Sequence, residues 1–460
     1  MSAHGFRQWI KAKSSDIFVR PSERYKALDG IRALSIILIV VFHCWVGVAF
    51  LGRPFFEEFN ANIPGFLFWI TKTDFAVDAF FVMSGFLIGT ILLKELERSE
   101  TINLKDFYIK RLYRIYPAYL LLIVLYAIPL LLSASPLKPP QNLLYNVFYV
   151  SNFLPSEEMP IGWSWTLCVE EQFYILMPLI LLLSRKYLPS TLTVLLGLYV
   201  LSYFVRLAIL LHYPQLDTGE YRLKPIEMFK DHDMLETDVL SNKLHSRYGA
   251  IITGVIGAYL YYHYEQRVAA FFQHSLLRNN LILIAALLMV GLMVSVPVYR
   301  PYFYQQDHRV FNLIYNTASR NIFSLGIMLL IFCSIYPKGL SIGIANFLGS
   351  RVWYPIAQLS YSTYLFHLPF VGMVCFIGMT KVVPKENLTM YHILVFSVIA
   401  FLLSSAFAVL VFTFVERPFM AIRDRFYKAD KLAPTHGDSD GDGGSEGSNK
   451  SSGNLAGAPN

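Results

Sequence analysis

Charge is what this 460-residue chain has little of. Asp, Glu, Lys and Arg make up 15% of it, whereas soluble domains carry about 25%. Hydrophobic residues reach 55%, and mean hydropathy is +0.45. The apolar residues fall in runs of about 17–25, the length that crosses a bilayer, which excludes a soluble globular protein. Cysteine is scarce as well. Cys44, Cys168, Cys333 and Cys375 are scattered with no C-x-x-C pair, so neither a zinc site nor a disulfide framework is indicated. Residues 1–25 are polar and basic and lack an apolar region followed by a small-residue cleavage site, so no removable signal peptide is read. No internal repeat occurs. The net charge of +7 is better explained by loops that hold membrane topology than by nucleic acid, and no nucleic-acid partner is expected.

What remains is a set of long apolar runs. Ten spans are predicted, at about 33–51, 75–93, 112–133, 170–185, 190–212, 248–264, 279–298, 321–336, 353–376 and 391–415. The fold class is therefore all-α, a polytopic transmembrane helical bundle. The segment 141–153 is apolar and aromatic but short, which suits an interfacial or re-entrant stretch. A basic segment, 1–25, precedes a membrane domain over 26–420. The tail, 421–460, is too rich in Gly, Ser and Asp to bury a core and is expected to be disordered. With these boundaries one side of the membrane collects 25 of the 39 Lys and Arg and the other 13, with Arg206 stranded inside a span. The positive-inside rule then puts both termini in the cytoplasm.

Within the first span, Arg32 stands at the mouth of the apolar run and His43 deep inside it. Eleven residues are roughly 1100° of helix, so both side chains share a face, about 16 Å apart along the axis. An ionisable group at that depth is tolerated mainly where it faces a bundle interior or a wet cavity. A histidine simply hydrogen-bonded to a neighbouring helix is the plainer alternative.

Four further stretches carry polar groups that a plain anchor would not need. Asp78 opens the second span and Ser84-Gly85 lies inside it, where small residues also let helices approach closely. Lys110, Arg111 and Arg114 precede and enter the third, either as positive-inside anchors or as a phosphate clamp, for which arginine's planar fork is suited. Glu170 and Glu171 sit at the head of the fourth, flanked by Trp163, Trp165 and Tyr174. A helix N-terminus stabilises negative charge, yet one of the pair could instead bind a sugar hydroxyl or orient His43. His367 lies within the ninth span, in L-S-Y-S-T-Y-L-F-H-L-P, and V-E-R-P (415–418) closes the tenth.

In this order the motifs resemble those of the integral-membrane acyltransferases called acyltransferase type three. L-D-G-I-R-A-L with His43 resembles their arginine–histidine motif, and V-D-A-F-F-V-M-S-G-F-L-I their F-F-x-x-S-G stretch. R-L-Y-R-I-Y-P resembles their R-x-x-R loop, and W-T-L-C-V-E-E-Q-F-Y their W-S-L-x-x-E-E-Q-F-Y stretch. The likeness covers roughly residues 24–420. Two departures, Thr166 where the family often has Ser and Trp163 where it often has His, lie where an acceptor would be read.

The resemblance implies transfer of an acyl group, expected to be acetyl, from cytoplasmic acyl-coenzyme A to a hydroxyl of a carbohydrate or lipid-linked glycan, without a metal. Arg32 and His43 become the central pair, with Glu170 and Glu171 as catalytic partners. Arg32, Lys110, Arg111 and Arg114 become coenzyme contacts, and Asp78, Ser84, Trp165, Tyr174 and His367 acceptor contacts. His43 is positioned to act as general base, and a covalent acyl-histidine stays open beside direct attack. In a bacterium the protein would sit in the cytoplasmic membrane. The rivals are a transporter of acyl groups or glycolipid, which would commonly show inverted repeats, and a membrane scaffold, which would not need a buried His43.

Overall fold

The computed structural model describes residues 17–20, 25–51, 53–133, 139–187, 190–216, 234–296, 308–384 and 387–432. Most of the basic segment 1–25, and the tail beyond 432, lie outside the described residues. Each of the ten predicted spans is a helix. They are α1 (Lys26–Leu51), α2 (Ala76–Ser99), α3 (Leu104–Ser133), α4 (Trp165–Tyr187) and α5 (Thr191–His212). They continue as α6 (Leu244–His263), α7 (Leu276–Ser295), α8 (Arg309–Ile335), α9 (Trp353–Ile377) and α10 (Met390–Val411). No strand occurs among the described residues.

Nine helical stretches among the described residues are long and apolar enough to cross a membrane. The exception is α6, whose sequence G-A-I-I-T-G-V-I-G-A-Y dilutes its aliphatic residues with Gly, Ala and Tyr. Its composition follows from its position. A Cβ on Gly85 of α2 would lie 2.0 Å from the Ile251 carbonyl oxygen, and one on Gly254 of α6 would lie 2.1 Å from that of Val82. The two backbones touch, so α6 needs small residues there more than it needs hydropathy. Outer faces of the other helices carry exposed apolar side chains such as Leu201, Phe204, Leu288, Val398 and Leu402, as a lipid-facing surface requires. The protein is a multi-pass integral membrane protein.

The start of α1 is pinned by Arg20, which bridges Asp29 at 2.8 Å and donates to the carbonyls of Gly349 (2.9 Å) and Ser350 (3.2 Å). An 11-residue tight helical run, Gly65–Phe75, leads into α2. The segment 141–153 breaks into short turns that do not span. Its polar residues Asn146, Ser151 and Asn152 are buried, while Phe148 and Phe153 face outward. Beyond α10 the helix widens by one turn over Phe412–Glu416 and continues as α11 (Arg417–Leu432).

Candidate active site

His43 is held by the backbone of its own helix. Its Nδ1 lies 2.8 Å from the Ile39 carbonyl, which can only accept, so Nδ1 carries a proton. The neutral ring then leaves Nε2 with its lone pair, and no described residue hydrogen-bonds to it. His367 on α9 is fixed in the same way, since its Nδ1 donates to the Tyr364 carbonyl at 2.6 Å. The unprotonated Nε2 of His367 faces the Nδ1–H of His43 at 3.2 Å. Tyr364 is tied in turn: its hydroxyl meets Thr166 Oγ1 and donates to the Trp163 carbonyl, both at 2.5 Å. The Trp163 indole N–H reaches back to the Leu365 carbonyl at 3.0 Å. Two helices and the head of α4 therefore set the orientation of one imidazole.

His43 lines a cavity of about 290 Å³. On α1 the cavity is lined by Ile39, Phe42, His43, Val46 and Phe50, all in the C-terminal half of the helix. Arg32 lies about 16 Å the other way, as the helical rise requires. Trp163, Trp165, Thr166 and Tyr364 line it as well, as do Asp74, Arg247 and Arg320.

On the Arg32 side lies a second polar cluster. Arg32 is within electrostatic range of Glu170 and Tyr174, and Arg114 within range of both Arg32 and Arg111. The Arg111 guanidinium stacks 4.0 Å from the centroid of the Tyr174 ring. Glu170 lies against Ser84 and Tyr174, whose hydroxyls contact each other. Arg114 lies at the surface of the bundle despite these neighbours. Three arginines converge there beside Glu170 and Glu171, and the guanidinium fork is suited to phosphate as well as to carboxylate.

The structure thus brings Arg32, Arg111, Arg114, Glu170, Ser84 and Tyr174 together on one side of His43. Glu171 adjoins them within range of Arg111. Trp165 is on the cavity side and His367 behind the ring. Lys110 is exposed. Asp78 does not line the cavity. It is 1% exposed and clasped by Arg320 at 2.6 Å and Arg247 at 3.4 Å. Asp74, Arg206, Arg247, Arg320, Thr166 and Tyr364 line the cavity and were not among the expected site residues. Two of them had a signal in the sequence, Arg206 as a charge inside a span and Thr166 as a departure where an acceptor would be read.

Comparison with known proteins gives the family. Residues 25–413 match the pattern of a family described as an acyltransferase domain. A protein of Staphylococcus aureus (strain COL), which carries O-acetyltransferase as a provisional name, is 36% identical over 34% of this chain and 24% of its own length. The O-acetyltransferase OatA of S. aureus (strain NCTC 8325 / PS 47) is 25% identical over 90% of this chain and 60% of its own. The chain thus spans between a quarter and three-fifths of the length of these relatives. No solved structure matches. With a family pattern running through α1 to α10, the chain belongs to the acyltransferase domain family.

Proposed function

We propose that this membrane domain transfers an acyl group, acetyl in the first instance, from acyl-coenzyme A to a hydroxyl of a carbohydrate or lipid-linked glycan. The observation that carries the reading is His43 standing between a three-arginine cluster and a cavity, with Nδ1 committed and Nε2 available. Arg32, Arg111 and Arg114 bind the phosphates of the coenzyme, and the pantetheine arm runs along α1 to place the thioester beside His43. The acceptor enters the cavity past Trp163 and Trp165. Nε2 takes the proton from its hydroxyl, and the oxygen attacks the thioester carbonyl. The tetrahedral intermediate expels the thiolate, which receives that proton from His43. The acceptor gains the acyl group, and free coenzyme A leaves. His367 accepts from Nδ1–H throughout and so stabilises the positive charge that His43 carries between the two transfers.

The basic-residue count supports placing both termini, and hence the arginine cluster, in the cytoplasm, where acyl-coenzyme A is made. In a bacterial cell the host membrane would be the cytoplasmic one. The test uses purified protein in detergent with acetyl-labelled coenzyme A and a glycan acceptor. Labelled ester should form and vanish in His43→Gln, and a wild-type preparation that neither transfers nor hydrolyses the donor would sink the proposal.

A further inference from the structure

Among the described residues, the lining of the cavity that holds Asp74, Arg247 and Arg320 carries more cations than carboxylates. Four cations line the cavity, namely Lys72, Arg206, Arg247 and Arg320. Asp74 and Glu236 line it as well, and Asp78 lies just behind, so among the described residues four positive charges face three negative ones. Arg206, Arg247 and Arg320 are within electrostatic range of one another.

Their partners are unequally shared. Arg206 uses four of its five N–H groups, donating to the carbonyls of Asn316 (2.7 and 3.0 Å), Ser246 (3.0 Å) and Leu240 (3.4 Å). Arg320 takes both carboxylates, Asp78 at 2.6 Å and Asp74 in a close contact. Arg247 is left with one loose contact to Asp78 at 3.4 Å. It is 3% exposed, yet its Nε and Nη1 have no hydrogen-bond acceptor. The Trp165 ring covers it at 5.1 Å and the Phe81 ring at 5.8 Å. On the same wall, Asp74 Oδ1 has no donor. A buried guanidinium without its full set of acceptors is costly, and an arriving anion would relieve that cost.

We infer that Arg247 and Asp74 form a recognition subsite for an acidic sugar, with an oxyanion on Arg247 and a neighbouring hydroxyl on Asp74. A neutral sugar would satisfy Asp74 but offer Arg247 Nε and Nη1 no anionic acceptor, and a bare anion would leave Asp74 Oδ1 without a donor. One ligand bearing both groups satisfies both, with Trp163 and Trp165 offering apolar faces to its ring. This rests on reading the cavity as the acceptor side. The oxyanion is a carboxylate or a phosphate, and the test separates them.

Tryptophan fluorescence of the purified protein, with no acyl donor present, is titrated with glucuronate, glucose 1-phosphate and glucose. At least one of the acids should half-saturate at a concentration tenfold or more below that of glucose. Preference for glucuronate over glucose 1-phosphate assigns a carboxylate, and the reverse a phosphate. Acids and glucose agreeing within twofold would overturn the subsite, and this arm needs no variant. Arg247→Gln should reduce the preference to under twofold, whereas Arg247→Lys, which keeps the charge, should retain part of it. A full preference in Arg247→Gln overturns the assignment. So does its abolition by free coenzyme A, which would place the anion on the arginines beyond His43. Because no donor is used, anion recognition without transferase activity would sink only the proposed reaction, and transfer without anion preference only this subsite.

Discussion

The Nε2 of His367 lies 3.2 Å from the Nδ1 of His43, joining residues 324 positions apart in the chain. The Nδ1–H of His43 is thereby shared between a side chain and the Ile39 carbonyl. Removing the side-chain acceptor leaves the ring oriented but its transient charge less well stabilised. A hydrogen bond to a charged group contributes about 1.5–3 kcal/mol, or roughly 10–100-fold in rate. His367→Phe should therefore lower kcat by that factor while leaving KM for the acyl donor within about twofold. Steady-state kinetics at saturating acceptor distinguishes this from a structural defect, which would lower the active fraction and leave kcat per active site unchanged.

The two sides of His43 should separate in kinetics. Arg111→Ala or Arg114→Ala removes one charge-assisted phosphate contact, so KM for acyl-coenzyme A should rise about 10–100-fold. His43→Ala should bind coenzyme A normally in a titration but lose about 10²–10⁴ in turnover. Near-normal turnover in His43→Ala would remove the imidazole from the reaction.

How far the sequence could be read follows from contrast. His43 and Arg32 stood out because each is a charge or potential charge against an apolar run, and helical period alone put them on one face. The ten helices were legible for the same reason. Arg320 and Arg247 were not, because each falls at the edge of a predicted span, where an arginine already has a mundane role. Asp74 and Asp78 are four apart and belong to one turn, but nothing local shows that an arginine from α8 bridges them. Tyr364 is an ordinary residue in an aromatic-rich stretch, and only folding puts its hydroxyl 2.5 Å from that of Thr166. Arg206 was visible as an anomaly, but its partners are backbone carbonyls, which no residue type announces.

Close contact between α2 and α6 makes a prediction about stability. Gly85→Ala drives a methyl group to 2.0 Å from the Ile251 oxygen. Separating the backbones should cost about 1–3 kcal/mol, as overpacking generally does. Gly197, on α5, has nothing within 4 Å of an added Cβ, so Gly197→Ala should be neutral or stabilise by about 0.5–1 kcal/mol. Thermal unfolding in detergent should order them Gly197→Ala, wild type, Gly85→Ala; equal midpoints would mean the helices are not in contact.

Orientation is open to labelling, helped by the burial of all four native cysteines in the folded protein. An impermeant maleimide applied from outside intact cells should modify Gln215→Cys and spare Thr101→Cys. Both positions are solvent-exposed. The opposite pattern would turn the arginine cluster away from the cytoplasm and its acyl-coenzyme A.

The acceptor that fixes the tautomer of His43 is the carbonyl of Ile39, one turn back on the same helix. It belongs to the main chain, so no substitution at position 39 deletes it. Replacing the Ile39 side chain can change the cavity's shape without changing which nitrogen of His43 is available. The base thus carries part of its own alignment with it, and a side-chain scan of its neighbours would register His367 and Tyr364 while passing over the partner nearest the ring. Mutational tolerance at position 39 would therefore say nothing about how much the site depends on it. Only a change that distorts the α1 backbone itself could withdraw that oxygen.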